Sequence, residues 1–205
     1  MSRTKSSSAW LQEHQSDHFV QQSKKDGYRS RAVYKLIELH EKDQLFRPGQ
    51  FVIDLGAAPG GWTEYASQFC QTEGKLIAVD LLPIDSVAGA NIIQGDFTDQ
   101  IILDRIMEIV DNQVVDLVLS DMAPNISGME SIDLPKSMYL AELAFELAKD
   151  VLKPDGSFVV KLFHGEGFEA LIKSFRQVFK AVRLRKPNAS RSRSREVYAV
   201  CSGLK

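Results

Sequence analysis

Seven short apolar runs constrain the fold of this chain more than any other feature. They are Phe51–Leu55, Lys75–Asp80, Ala90–Gln94, Val115–Ser120, Ser157–Leu162, Val182–Arg185 and Val197–Cys201, and the stretches between the earlier ones read as helices. The clearest helical stretches are Thr98–Val110, Leu134–Leu152 and Glu166–Phe179, with the "KPDG" turn at Lys153–Gly156 closing the second. Strands alternating with helices are the pattern of a parallel sheet covered on both faces. Only a polar loop separates the last two strands, so they pair antiparallel. The expected fold is therefore α/β: a doubly wound, seven-stranded, mostly parallel, Rossmann-like sheet with its last strand antiparallel.

Ahead of the first strand, the chain to about Arg31 is polar and unpatterned apart from Trp10, Leu11, Phe19 and Val20. Residues 1–30 are expected to form a basic arm, and residues 31–205 a single domain. Ser30 offers an N-cap for a helix carrying Val33, Leu36, Ile37 and Leu39 near one face, which Pro48 and Gly49 end.

With 205 residues, 44% hydrophobic and 25% charged, the chain has enough apolar content for one globular domain. A net charge of -2 hides an asymmetry: Met1–Lys35 carries +4, Lys173–Lys205 carries +9, and the middle carries -15. Basic ends on an acidic body suit a polyanionic partner beside a separate acidic site. Cys70 and Cys201 have no metal spacing, so neither a zinc site nor a disulfide framework is implied, which fits a reducing compartment. Neither a signal-peptide core nor an apolar run of roughly 18 residues occurs, so a cytoplasmic protein without membrane contact is expected.

The first strand runs into "FVIDLGAAPGGW", where Gly56, Gly60 and Gly61 bare the backbone at the strand's carboxyl end. A tight strand-to-helix turn needs such residues too, so glycines alone do not define a ligand. The dinucleotide glycine spacing is missing, Pro59 stiffens the turn, and no Walker lysine follows. Three acids add the missing information: Asp80 ends the second strand, Asp96 follows the third, and Asp121 follows the fourth. An acid-lined cleft repels a pyrophosphate but suits a ribose diol, an adenine amino group and a positive charge. S-adenosylmethionine carries all three.

Taken together, "DLGAAPGGW", "GDF", "SDMAPNISG", "FVVKLFHGEGF" and "SRSREVY" closely resemble the FtsJ/RrmJ family of large-subunit ribosomal RNA ribose 2'-O-methyltransferases. The likeness extends in matching order from about Trp10 to Val200, including "WLQEH" and "RSRAVYKL". It implies a seven-stranded S-adenosylmethionine-dependent methyltransferase fold, with cofactor contacts at Gly60, Trp62, Asp80, Asp96 and Asp121. It also implies a catalytic Lys-Asp-Lys-Glu set at Lys35, Asp121, Lys161 and Glu196, and no metal. The implied substrate is a uridine of 23S ribosomal RNA on an assembled or nearly assembled 50S subunit, and a monomer is expected. Transfer RNA, capped RNA and a non-enzymatic assembly role are the alternatives.

Methylating a ribose hydroxyl demands an activated oxygen held in line with the methyl group, and general-base help contributes about 100- to 10,000-fold. Lys161 ends an apolar strand, where its amine can reach the cleft as base or, if charged, as a stabiliser of the alkoxide. "RSRAVYK" and "RLRKPNASRSRSR" supply cations for RNA phosphates. Tyr34, Tyr139 and Trp62 are candidates for base or adenine stacking, and His14, His18, His40 and His164 show no ligand spacing.

Overall fold

The computed structural model describes residues 17–71, 73–125, 127–191 and 194–205. Its helices are α1 (His18–Asp26), α2 (Val33–Asp43), α3 (Gly61–Cys70), α4 (Gln100–Val110), α5 (Glu130–Val151) and α6 (Phe168–Val178). Its strands are β1 (Phe51–Leu55), β2 (Lys75–Asp80), β3 (Ala90–Gln94), β4 (Val115–Ser120), β5 (Leu152–Phe163), β6 (Phe179–Arg185) and β7 (Glu196–Leu204). They form one seven-stranded sheet in the order β3-β2-β1-β4-β5-β7-β6. Strands β1 to β5 pair in parallel, while β7 inserts antiparallel to both β5 and β6.

Strand period divides the core in two. Ile53, Ile77, Val118, Phe158, Val160 and Ala199 point to the face covered by α4, α5 and α6. Val52, Leu76, Leu117, Val159, Tyr198 and Val200 point to the face where Leu36 and Leu39 of α2 and Trp62 of α3 pack. Both faces of β1 are buried, which is why it reads as a nearly unbroken apolar run. The same alternation puts Lys161 on the side of Val159, and Glu196 on the side of Tyr198, so both belong to the α2 face.

Several local readings are corrected. The N-terminal stretch is not wholly unpatterned: the Asp17 carboxylate accepts from the backbone N–H of Phe19 and Val20, caps α1, and leaves Val20 and Ser23 buried. Trp10 and Leu11 lie outside the described residues, as do Ser192 and Arg193 of the basic tail. Ser30 makes no cap; α2 starts after Ala32, and the Ser30 hydroxyl sits where a Cβ on Gly61 would meet it at 2.7 Å. Helix α2 also stops before Pro48, at Gln44 (φ 53), because Leu45 and Phe46 fold back into the core and the Phe46 N–H bonds His40 Nδ1. The "KPDG" turn falls inside β5, as an unpaired bulge between Leu152, opposite Val115, and Ser157, opposite Leu117. Asp155 there takes φ 64, and the pairing of β4 with β5 shifts register.

Candidate active site

The carboxyl ends of β1 to β4 open into a cleft of about 470 Å³ that Asp80, Asp96 and Asp121 all line. Parallel strands bring this about, since every carboxyl end lies on the same edge of the sheet. The Asp80 carboxylate accepts from the N–H of Ala58 (2.9 Å) and of Leu82 (2.8 Å), tying the loops after β1 and β2 together. Asp96 accepts from the N–H and hydroxyl of Thr98. Gly56 sits at φ +75, and a Cβ there would stand 2.8 Å from the Cα and N of Met122 in the loop after β4. Close approach of two loops, as much as access for a ligand, requires this glycine.

Gly60 and Trp62 are placed differently. Gly60 (φ +102) lies beneath the Arg29 side chain, whose guanidinium donates to the carbonyls of Asp85 and Ser86. Trp62 is buried, donates from Nε1 to the Ala32 carbonyl at 2.7 Å, and packs 5.8 Å from the Tyr198 ring. Neither lines the acidic cleft.

Lys35, Asp121, Lys161 and Glu196 meet on the α2 face. Lys161 Nζ lies 3.0 Å from Asp121 Oδ1 and donates to the Asp121 carbonyl at 2.6 Å. Lys35 Nζ lies 2.7 Å from Glu196 Oε1. Tyr198, to which the sequence attached no role, joins the two pairs: its hydroxyl donates to Asp121 Oδ1 at 2.7 Å and accepts from Lys35 Nζ at 3.2 Å. All four charged side chains are at most 17% exposed, so each charge relies on its neighbours rather than on water. Burial raises the Asp121 carboxyl, but the Lys161 and Lys35 ammoniums and the Tyr198 hydroxyl outweigh it and hold Asp121 below the usual carboxylate value. Burial and the neighbouring carboxylates push the Tyr198 phenol well above 10.

Asp54, inside the "FVIDLG" run, is fully buried beneath the glycine loop. Burial raises it to about 7, opposed by a 2.7 Å hydrogen bond from the Thr63 hydroxyl and reinforced by the charges of Asp121 and Asp80. The only sequence signal for this site is a carboxylate in an otherwise apolar strand.

A second recess, of about 460 Å³, opens on the other side of the four-residue set. Lys35 and Glu196 line it together with Arg31, Arg191 and Ser194. Arg31 is anchored by Asp17 and the Ala189 carbonyl. Of the other aromatics, Tyr34 is held by Asp26 and packs against Phe19 and Tyr28, while Tyr139 is exposed on α5. Among the described residues no cluster of His, Cys, Asp or Glu could hold a metal ion, and no helix is long and apolar enough to cross a membrane.

An antiparallel β7 inserted between β5 and β6 separates this sheet from the dinucleotide-binding type, and the acid-lined cleft fits a cationic sulfonium nucleoside. The class so defined is the α/β methyltransferases that use S-adenosylmethionine. The FtsJ-like methyltransferase family matches residues 28–204, and the chain belongs to that family. It is 56% identical to the ribosomal RNA large subunit methyltransferase E of Hahella chejuensis over 100% of both chains. Against the protein of the same name from Cellvibrio japonicus it is 55% identical, covering 100% of this chain and 97% of that one. A Plasmodium falciparum crystal structure titled for a ribosomal RNA methyltransferase superposes with a TM-score of 0.77 at 27% identity, over 86% of this chain and 98% of that one.

Proposed function

We propose that the protein transfers the methyl group of S-adenosylmethionine to the 2'-hydroxyl of a uridine in large-subunit ribosomal RNA. One observation carries the reading: a single hydrogen-bonded chain, Glu196–Lys35–Tyr198–Asp121–Lys161, runs from the basic recess to the acidic cleft. A ribose entering over Arg31 and Arg191 reaches this chain from one side, and a cofactor at Asp80 and Asp96 reaches it from the other. Full-length relatives named for large-subunit ribosomal RNA support the substrate.

When bound, S-adenosylmethionine supplies a sulfonium methyl whose transfer releases a neutral thioether. Asp80 takes the ribose diol, Asp96 the adenine amino group, and Asp121 faces the positive charge. Gly60 and Trp62 act from behind by shaping the loop. Lys161, after giving up its own proton to become the neutral amine, accepts the proton of the 2'-hydroxyl; Asp121 orients Lys161, and Lys35, held by Glu196, stabilises the developing oxyanion. Cations of the first 30 residues and of the tail after Arg185 contact phosphates, which gives affinity without sequence information. The setting we propose is a cytoplasmic monomer acting on the 50S subunit.

The test is incubation with labelled S-adenosylmethionine and, in parallel, large subunits, free ribosomal RNA, transfer RNA or capped RNA. Label at a ribose of the large-subunit RNA is the expected result. Label confined to transfer RNA or capped RNA overturns the substrate, and label nowhere overturns the reaction.

A further inference from the structure

Beside the catalytic chain lies a recess for which the proposed reaction has no use. It encloses about 130 Å³ between the first turns of α5 and the end of β5, walled by Leu134, Phe163 and His164 and bordered by Arg195. Phe163 pairs in register with Glu196 and stands two residues beyond Lys161, about 7 Å along the strand. The recess thus adjoins the place where the acceptor ribose is proposed to sit: Glu196 and Arg195, neighbours in the chain, line one recess each.

Its walls are fixed. Gly165 comes so near Leu134 that a Cβ would stand 2.3 Å from the leucine Cδ2. The His164 N–H donates to the Arg195 carbonyl, and the Arg195 guanidinium donates back to the His164 carbonyl, each at 3.3 Å. Two acids at the rim already have partners: Asp133 accepts from the N–H and hydroxyl of Ser127 and the N–H of Gly128, and Glu130 pairs with Arg195 at 2.7 Å.

A phosphate entering here would face those carboxylates, whereas an uncharged planar ring would meet a leucine, two aromatic rings and a guanidinium. Proteins hold unstacked RNA bases with such aromatic and arginine surfaces. We propose that this recess receives one unstacked nucleobase of the substrate RNA, from the acceptor nucleotide or its immediate neighbour. The inference rests on reading the site as a ribose methyltransferase; the backbone phosphates then follow Arg31 and Arg191 on the opposite side.

The experiment compares the wild type with Leu134→Trp, which fills the recess, and His164→Ala, which removes an exposed wall and its contact with the Phe168 ring. Each is assayed for direct RNA binding and for methyl transfer to target RNA carrying an abasic nucleotide at the acceptor position or at either neighbour. Wild-type affinity falls about tenfold or more at one abasic position, the scale of losing one stacked base. Leu134→Trp shows the same loss on intact RNA and no further loss on that abasic RNA, with cofactor affinity unchanged; His164→Ala shows a smaller loss in the same direction. Equal abasic penalties in wild type and Leu134→Trp, or no penalty at any of the positions, overturn the proposal. Absence of methyl transfer by the wild type would count against the reaction instead, because the binding arm reads the recess independently.

Discussion

The Tyr198 hydroxyl donates to Asp121 Oδ1 at 2.7 Å from a fully buried ring, and so couples a carboxylate on the cofactor side to Lys35 on the other. Tyr198→Phe removes this coupling while keeping the ring's packing against Trp62. The expected losses are about 1–3 kcal/mol of stability, from a buried carboxylate short of one donor, and about 10- to 100-fold in turnover, from loosened positioning. Cofactor affinity stays within a few-fold. Denaturant melts and single-turnover rates check this, and an unchanged rate would show that the link is only structural.

Lys161→Ala is expected to fold and bind S-adenosylmethionine but to lose methyl transfer by at least about 100-fold. Lys161→Arg separates base from charge, because a guanidinium keeps the positive charge but cannot accept a proton. If Lys161 is the base, the arginine variant is as inactive as the alanine one. Recovery of a substantial rate with arginine would instead assign the residue to alkoxide stabilisation.

The pH dependence of stability carries the mark of Asp54. Its folded value of about 7 exceeds its ordinary 3.8, so between those values the unfolded chain releases the proton first. Its stabilising contribution is complete below about pH 4 and disappears as pH rises through 7, a change on the order of a few kcal/mol. Asp54→Asn removes this dependence, so the variant's stability relative to wild type should improve from pH 5 to pH 8 in urea titrations. A constant difference across that range would refute the buried, raised carboxyl.

Gly56→Ala forces both a strained φ and a Cβ 2.8 Å from the Met122 backbone. A strained φ alone costs about 1–2 kcal/mol, and displacing the loop after β4 adds a loss of cofactor affinity of about tenfold or more. Gly27→Ala is the control, with φ +79 and nothing within 4 Å, and should show only the backbone cost. Calorimetric titration with S-adenosylmethionine distinguishes the two variants.

Arg191→Ala, at the rim of the basic recess, should weaken RNA binding similarly across sequences and reduce the slope of log affinity against log salt by about one. S-adenosylmethionine binding is unaffected. An unaltered salt slope would place the phosphate path elsewhere.

The fold class and the acidic half of the site were legible in the sequence, because parallel strands buried on both faces read as apolar runs and their carboxyl ends share one edge. Asp80, Asp96 and Asp121 each follow such a run, so counting strands was enough to bring them into one cleft. Local geometry was less legible: α1 is fixed by its caps at Asp17 and Gly27, and "KPDG" bulges out of β5 between the residues that pair with β4. Lys35 and Glu196 followed from the family resemblance and from no pattern of their own, and it is the insertion of β7 beside β5, with α2 packed over both, that brings them together in a nearly dry site. Tyr198 could not be found from pattern, since a buried strand tyrosine is ordinary packing until its hydroxyl meets a partner. Gly60 and Trp62 likewise took their neighbours from tertiary contacts, Arg29 over one and the Ala32 carbonyl against the other. Periodicity records which face of a strand is buried, and therefore determined the sheet and its edge. Which charges meet across that edge depends on side chains from distant segments, and only the packed structure decided it.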